Sequence, residues 1–209
     1  MSLMMRHVTF GYHPHKHILE NIHFEVNPGE IVSIVGPSGS GKSTLASIAS
    51  GIKSPQKGEV LINGTPIEKC RGFKPVQCIR QHPEKSINPR WRVHKILNEA
   101  GPVSDTIKNH LAIEDTWMQK WPHELSGGQL QRICIARALQ PQLKYLIADE
   151  MTTMLDAMSQ LQILTYLKDV VRETQIGLLF ISHDKALVER YSDRVEDIRR
   201  LKDVCLQSR

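Results

Sequence analysis

Short apolar runs broken by glycine- and proline-bearing turns set the rhythm of this chain. RHVTFGY (6–12) and ILENIHFEV (18–26) partly alternate apolar and polar positions across a His- and Pro-rich turn, the pattern of antiparallel strands. The turn NPGE (27–30) launches IVSIV (31–35), a β-branched run that fits a buried strand. After a glycine-rich stretch, LASIAS closes on Gly51, which predicts a short helix with a glycine stop. Asn63-Gly64 within GEVLINGTPI (58–67) marks a hairpin. Residues 91–120, between Pro89 and Pro122, are mixed and amphipathic, consistent with a small helical insertion. Leu130, Ile133, Cys134 and Ala138 recur at helical spacing and predict a helix over 129–140, ended by Pro141. KYLIA (144–148) reads as a strand, 157–174 as a helix with Leu164, Leu167 and Val171 on one stripe, and GLLFIS (177–182) as another strand. Strands alternating with helices argue for an α/β fold, a mainly parallel sheet with an antiparallel β edge.

Composition narrows this picture without redirecting it. The 209 residues suit one domain, and no stretch approaches the roughly 18 uncharged apolar residues of a membrane span. The N-terminus lacks the long apolar block of a signal peptide, so a cytosolic location is expected. Cys70, Cys78, Cys134 and Cys205 stand too far apart for a CxxC pair, and reduced structural thiols are expected. The formal charge of +5 comes from scattered Lys and Arg with no basic block, so no nucleic-acid partner is expected.

The chemistry begins in GPSGSGKST (36–44): Gly36, Gly41, Lys42 and Ser43 satisfy G-x-x-x-x-G-K-[ST] between a predicted strand and a predicted helix. In such a P-loop the backbone from Gly36 through Pro37, Ser38, Gly39, Ser40 and Gly41 to Thr44 turns its N–H groups onto phosphate oxygens, helped by the positive helix end. Lys42 would reach the β- and γ-phosphates and the Ser43 hydroxyl would bind Mg²⁺. The P-loop needs a second acid and a group to polarise the attacking water. LIADE supplies both candidates, Asp149 at the end of a buried run for the metal and Glu150 for the nucleophile.

ELSGGQLQR (124–132) resembles the signature motif of ABC-type ATPases, with Ser126, Gly127, Gly128 and Gln129 at a helix start as a second phosphate site. The resemblance spans roughly residues 3–195 with every motif in family order, and it implies an ATP- and Mg²⁺-dependent ATPase. It assigns Gln81 to the Q-loop, touching Mg²⁺, and His183 to the switch position at the γ-phosphate. It likewise assigns Tyr12 to adenine stacking and Asp156 to the D-loop, working across a dimer. A single cassette over 1–209 follows, with a nucleotide core (1–90 and 141–209) and a helical subdomain (about 91–140). SINPRW and WPHELSGGQLQR are similar to strings in oligopeptide, dipeptide and nickel importers. That similarity implies a motor on the cytoplasmic membrane face, with a second ABC ATPase chain, transmembrane permease subunits and, indirectly, an extracytoplasmic substrate-binding protein.

Two departures and one cluster qualify the resemblance. The family's P-T-S-A-L-D is here Met151-Thr152-Thr153-Met154-Leu155-Asp156, which softens the turn, and EDIRRLKDVCLQSR replaces the usual continuation after Asp193-Arg194-Val195. A non-hydrolysing regulatory subunit and an exporter ATPase are the alternatives; ABC proteins acting on nucleic acid carry additions this chain lacks. His13, His15 and His17 alternate in YHPHKH, either a nickel or zinc chelate or a solvated loop beside the adenine site.

Overall fold

The computed structural model describes residues 2–13 and 16–203. Two sheets form. An antiparallel sheet joins β1 (Leu3–Phe10), β2 (Leu19–Val26), β4 (Lys57–Ile62) and the short β5 (Thr65–Pro66) in the order β2-β1-β4-β5. The second, order β6-β7-β8-β3-β9, is parallel throughout and contains β3 (Ile31–Val35), β6 (Val76–Arg80), β7 (Tyr145–Asp149), β8 (Gly177–Ile181) and β9 (Arg194–Asp197). The expected antiparallel strands thus pair among themselves as a separate sheet instead of extending the parallel edge. The Asn63-Gly64 turn closes β4 onto β5 with φ of 52° and 82°, the doubly left-handed turn that such a pair favours.

Why β7 and β8 carry no polar alternation is plain from what covers them. Both are buried at every position, because helices lie on one face and α1 (Lys42–Ala49) with the antiparallel sheet on the other. Leu146, Ala148, Leu178 and Phe180 point into one core with α4 (Gly127–Ala138) and α5 (Ala157–Thr174). Tyr145, Ile147, Leu179 and Ile181 point into the other, the period of two expected of a strand. Gly177 sits where this packing is tightest: an added Cβ would lie 2.6 Å from the Tyr145 ring and 2.8 Å from the Asn27 carbonyl oxygen. Gly177→Ala is therefore expected to cost about 1–3 kcal/mol, read as a Tm lowered by roughly 2–10 °C in a thermal melt.

The insertion is short-jointed. Between β6 and α4 the chain makes α2 (Val93–Leu97), α3 (Asp105–His110) and 3-10 turns at Asp115–Trp117 and Pro122–Glu124, all shorter than the amphipathic pattern of 91–120 suggests. Val93, Ile96, Leu97 and Trp117 anchor it in the same core as α4. The α4 helix starts two residues before the expected Gln129 and has Leu139 as its C-cap. After β8 come α6 (Lys185–Tyr191) and, beyond β9, α7 (Ile198–Asp203). Cys70, Cys78 and Cys134 are free thiols, and burial pushes Cys78 and Cys134 up to about 11, unreactive values; Cys205 lies outside the described residues. His13 and Lys16 face each other as an antiparallel bridge; His15 lies outside the described residues. Among the described residues no group of three His, Cys, Asp or Glu side chains is placed to hold a metal.

Candidate functional site

All five strands of the second sheet run the same way, so their C-terminal ends share one edge, where ligands of open α/β sheets sit. The loop after β3 wraps into α1 there. Its backbone needs glycine at both ends: Gly36 has φ 152° and an added Cβ would lie 2.6 Å from Ile198 Cγ2, while Gly41, at φ 104°, would meet Ile18 Cγ2 at 2.8 Å. Lys42 is buried, 7% exposed, and its ammonium donates to the carbonyl oxygens of Gly36 (2.9 Å) and Pro37 (3.0 Å). The side chain thus folds back over the loop and holds its curve. Ser40 Oγ is buried with no hydrogen-bond partner among the described residues. A buried hydroxyl in a cradle of N–H groups is a group awaiting an acceptor.

One strand pair away, Ser43 Oγ donates to Asp149 Oδ1 at 3.1 Å. Burial holds the Asp149 carboxyl above the usual carboxylate range and Glu150 adds to this, against the Ser43 hydrogen bond and the Arg80 and Lys42 charges. Glu150 follows with φ 50°, its N–H donating to the Ile181 carbonyl at 3.0 Å. That left-handed backbone is uncommon for a residue with a side chain, and it turns the carboxylate out of the strand line. Glu150 Oε2 stands 3.9 Å from His183 Nδ1, and the His183 side chain is 69% exposed. Gln81 follows β6 half-buried, and its amide makes no hydrogen bond among the described residues. Tyr12 projects from the antiparallel sheet, 56% exposed, edge-on to Phe10 at 5.3 Å with the Lys53 ammonium 4.9 Å from its centroid. An exposed ring braced from below offers a face for stacking.

The signature residues stand apart from this cluster. Ser126 caps α4: its hydroxyl accepts the Gln129 N–H at 3.2 Å while the Gln129 side chain accepts the Ser126 N–H at 2.9 Å. Gly127 and Gly128 lie under Met154 and Leu155, with an added Cβ 3.8 Å from the Met154 thioether and 3.4 Å from the Leu155 Cδ2. No hydrogen bond among the described residues joins them to the P-loop. The methionines behave differently from each other: Met151 is wholly buried in the core, and Met154 is 42% exposed. Asp156 caps α5, accepting from Ser159 N–H at 2.9 Å and Ser159 Oγ at 2.6 Å, which holds its carboxyl below the ordinary range.

Sequence reasoning passed over two residues that touch the site. Arg80 sits opposite Asp149 in the β6–β7 register and donates to Ser47 Oγ at 3.2 Å; a lone charge ending the apolar run VQCIR was its signal. Lys202, on α7, donates to the Ser40 carbonyl at 2.7 Å, and nothing in its neighbours announces this.

The upward shift of the Asp149 carboxyl sets the sign of a stability effect. The fold disfavours the charged form, so the cost is absent below the ordinary carboxylate value and grows until the pH passes the raised one. Asp149→Asn is therefore expected to melt higher than the parent at pH 7 without nucleotide, with the gap closing in acid. Paired melts across that range check it.

Comparison with known proteins identifies relatives of this chain. The family profile described as ABC transporter matches residues 19–153. The nickel import ATP-binding protein NikE of Rhodospirillum rubrum is 37% identical over 203 residues, covering 88% of this chain and 73% of that protein. The glutathione import ATP-binding protein GsiA of Salmonella paratyphi A is 41% identical over 199 residues; these cover 86% of this chain but only 32% of GsiA. In structure, the dimeric bacterial ABC transporter cassette MJ0796 superposes with a TM-score of 0.81 at 25% identity, covering 93% of both chains. CbiO1 of Clostridium perfringens, part of the transporter complex CbiONQ, gives 0.75 at 27%, covering 93% of this chain and 83% of its own. A family match across the P-loop and the signature, a relative aligned along most of both chains and one shared cassette architecture lead to the same place: this chain belongs to the ABC transporter family, among its ATPases.

Proposed function

We propose that the chain is the ATP-driven motor of an importer, carrying half of each of two hydrolytic sites. The observation that carries this is the separation of two glycine-bearing helix starts: the P-loop gathers with Asp149, Glu150 and His183 at one sheet edge, while Ser126, Gly127 and Gly128 open α4 with no hydrogen bond to the P-loop among the described residues. A second chain would bring its signature over this P-loop, as the dimeric state of MJ0796 suggests. In each site the amides of residues 36–44 and Lys42 would bind the β- and γ-phosphates, and Tyr12 would stack on adenine. Ser43 and Asp149, two hard oxygen donors 3.1 Å apart, with Gln81 beyond, fit Mg²⁺, which would neutralise charge on the phosphate oxygens. Glu150 would take the proton of the attacking water and His183 would hold the γ-phosphate oxygen that gains charge. Asp156 would reach the partner while it caps α5. Closing the dimer expels water; phosphate release reopens it.

The cargo reading follows the relatives, whose names record nickel and glutathione, so we assign nickel or a small peptide as the class carried. None of the described helices is long and apolar enough to span a membrane, which suits a peripheral subunit bound to permease chains and served indirectly by a substrate-binding protein. The chain would divide into a nucleotide core (1–90 and 141–209) and a helical subdomain (about 91–140), the latter meeting the permease. A regulatory, non-hydrolysing subunit is the second reading, favoured only by Met154 over Gly127. Phosphate release in Mg²⁺-ATP, by this chain alone and mixed with a related ATPase chain, decides between them. The motor reading expects turnover in at least one arrangement; ATP binding with no turnover in any would select the regulatory one.

A further inference from the structure

The strand β1 contains one residue too many. Met5 and Val8 are both buried although three positions apart, so the two residues between them, Arg6 and His7, stand outside together against the single residue His23 of β2. This is a β-bulge. Its backbone is specific: His7 has φ 51°, and Gly58 of β4 nests against it so closely that an added Cβ would lie 2.3 and 2.4 Å from the Arg6 and His7 carbonyl oxygens. A histidine held in the left-handed region is a strain that ordinary pairing would avoid.

The bulge brings two polar side-chain atoms within 3 Å of His7 Nδ1. His7 Nδ1 lies 2.9 Å from His23 Nε2 and 2.8 Å from Asn21 Oδ1, and the two rings meet edge to face at 83°. A single proton on Nδ1 can point well at only one of these neighbours. Two ligands at cis positions, each roughly 2.05 Å from one ion, are separated by about 2.9 Å, whereas tetrahedral ligands stand about 3.3 Å apart. Both separations fit the cis edge. The site is open to solvent beside a cavity of about 450 Å³, lined also by Met4 and Glu25.

We propose that His7, His23 and Asn21 form a binding site for a divalent transition metal of tetragonal or octahedral preference, Ni²⁺ or Cu²⁺, on the outer face of the antiparallel sheet. Imidazole nitrogens with an amide oxygen suit these ions, with water completing the sphere. The site is separate from the nucleotide edge and from His13, His15 and His17.

The test uses the full chain with His13, His15 and His17 changed to serine, titrated calorimetrically with NiCl₂, CuCl₂ and ZnCl₂. The expected result is one equivalent of Ni²⁺ or Cu²⁺, weakened at least tenfold by His23→Thr and by His7→Asn, which keeps the left-handed backbone, with Zn²⁺ weaker than Ni²⁺. Nucleotide binding by the same variants reports that they are folded. Absence of saturable binding, an affinity unchanged in both folded variants, or a preference for Zn²⁺ over Ni²⁺ overturns the assignment.

Discussion

Glu150→Gln is expected to lower Mg²⁺-ATP turnover by about 10²–10⁴-fold, the span typical of removing a general base, while ATP binding stays within a few-fold of the parent. The amide keeps the shape and the left-handed backbone that the Ile181 carbonyl anchors, so the loss isolates proton acceptance from folding. Because the variant still binds ATP, it should also accumulate in the closed dimer, seen as a doubled mass in light scattering with ATP. Unchanged turnover would remove Glu150 from the chemistry and return the site to a binding role.

Lys42→Ala attacks the step before. The parent ammonium is already desolvated and held by two backbone carbonyls, which lowers the cost of ordering it on a phosphate. A charge-assisted hydrogen bond is worth about 1.5–3 kcal/mol, so the variant is expected to bind ATP roughly 10–150-fold more weakly and to show no measurable hydrolysis. Titration with a fluorescent ATP analogue, beside a phosphate-release assay, separates the two losses. Retained affinity would mean that the backbone amides alone hold the phosphates.

The two substitutions probe the part of the molecule most legible beforehand. The P-loop was readable because glycines, Lys42 and Ser43 stand at fixed spacing in a strand-to-helix context, and Asp149 and Glu150 because that P-loop calls for a metal-holding acid and a water-polarising group, whereas acids at a strand end alone are usually solvated. Other elements were hidden for physical reasons. β9 (Arg194–Asp197) has three charged residues among four and is held by ladder bonds to β3, which composition does not reveal. β6 was missed because VQCIR is short and only partly buried. Which sheet a strand joins depends on distant partners, so the antiparallel strands were taken for an edge. The bulge at His7 did leave a mark, the three-residue spacing of Met5 and Val8, while the Ser126–Gln129 capping box was written in the sequence four letters long.

The left-handed turn at Glu150 has a consequence for how such a chain ages. A glycine or an asparagine would occupy that backbone with less strain than glutamate, by about 1 kcal/mol for glycine. The residue we assign to the attacking water is thus one the fold alone would discard. Where a genome keeps a copy whose hydrolysis is no longer under selection, drift at this position runs downhill in folding free energy, and the motor is among the first things lost while the cassette remains intact.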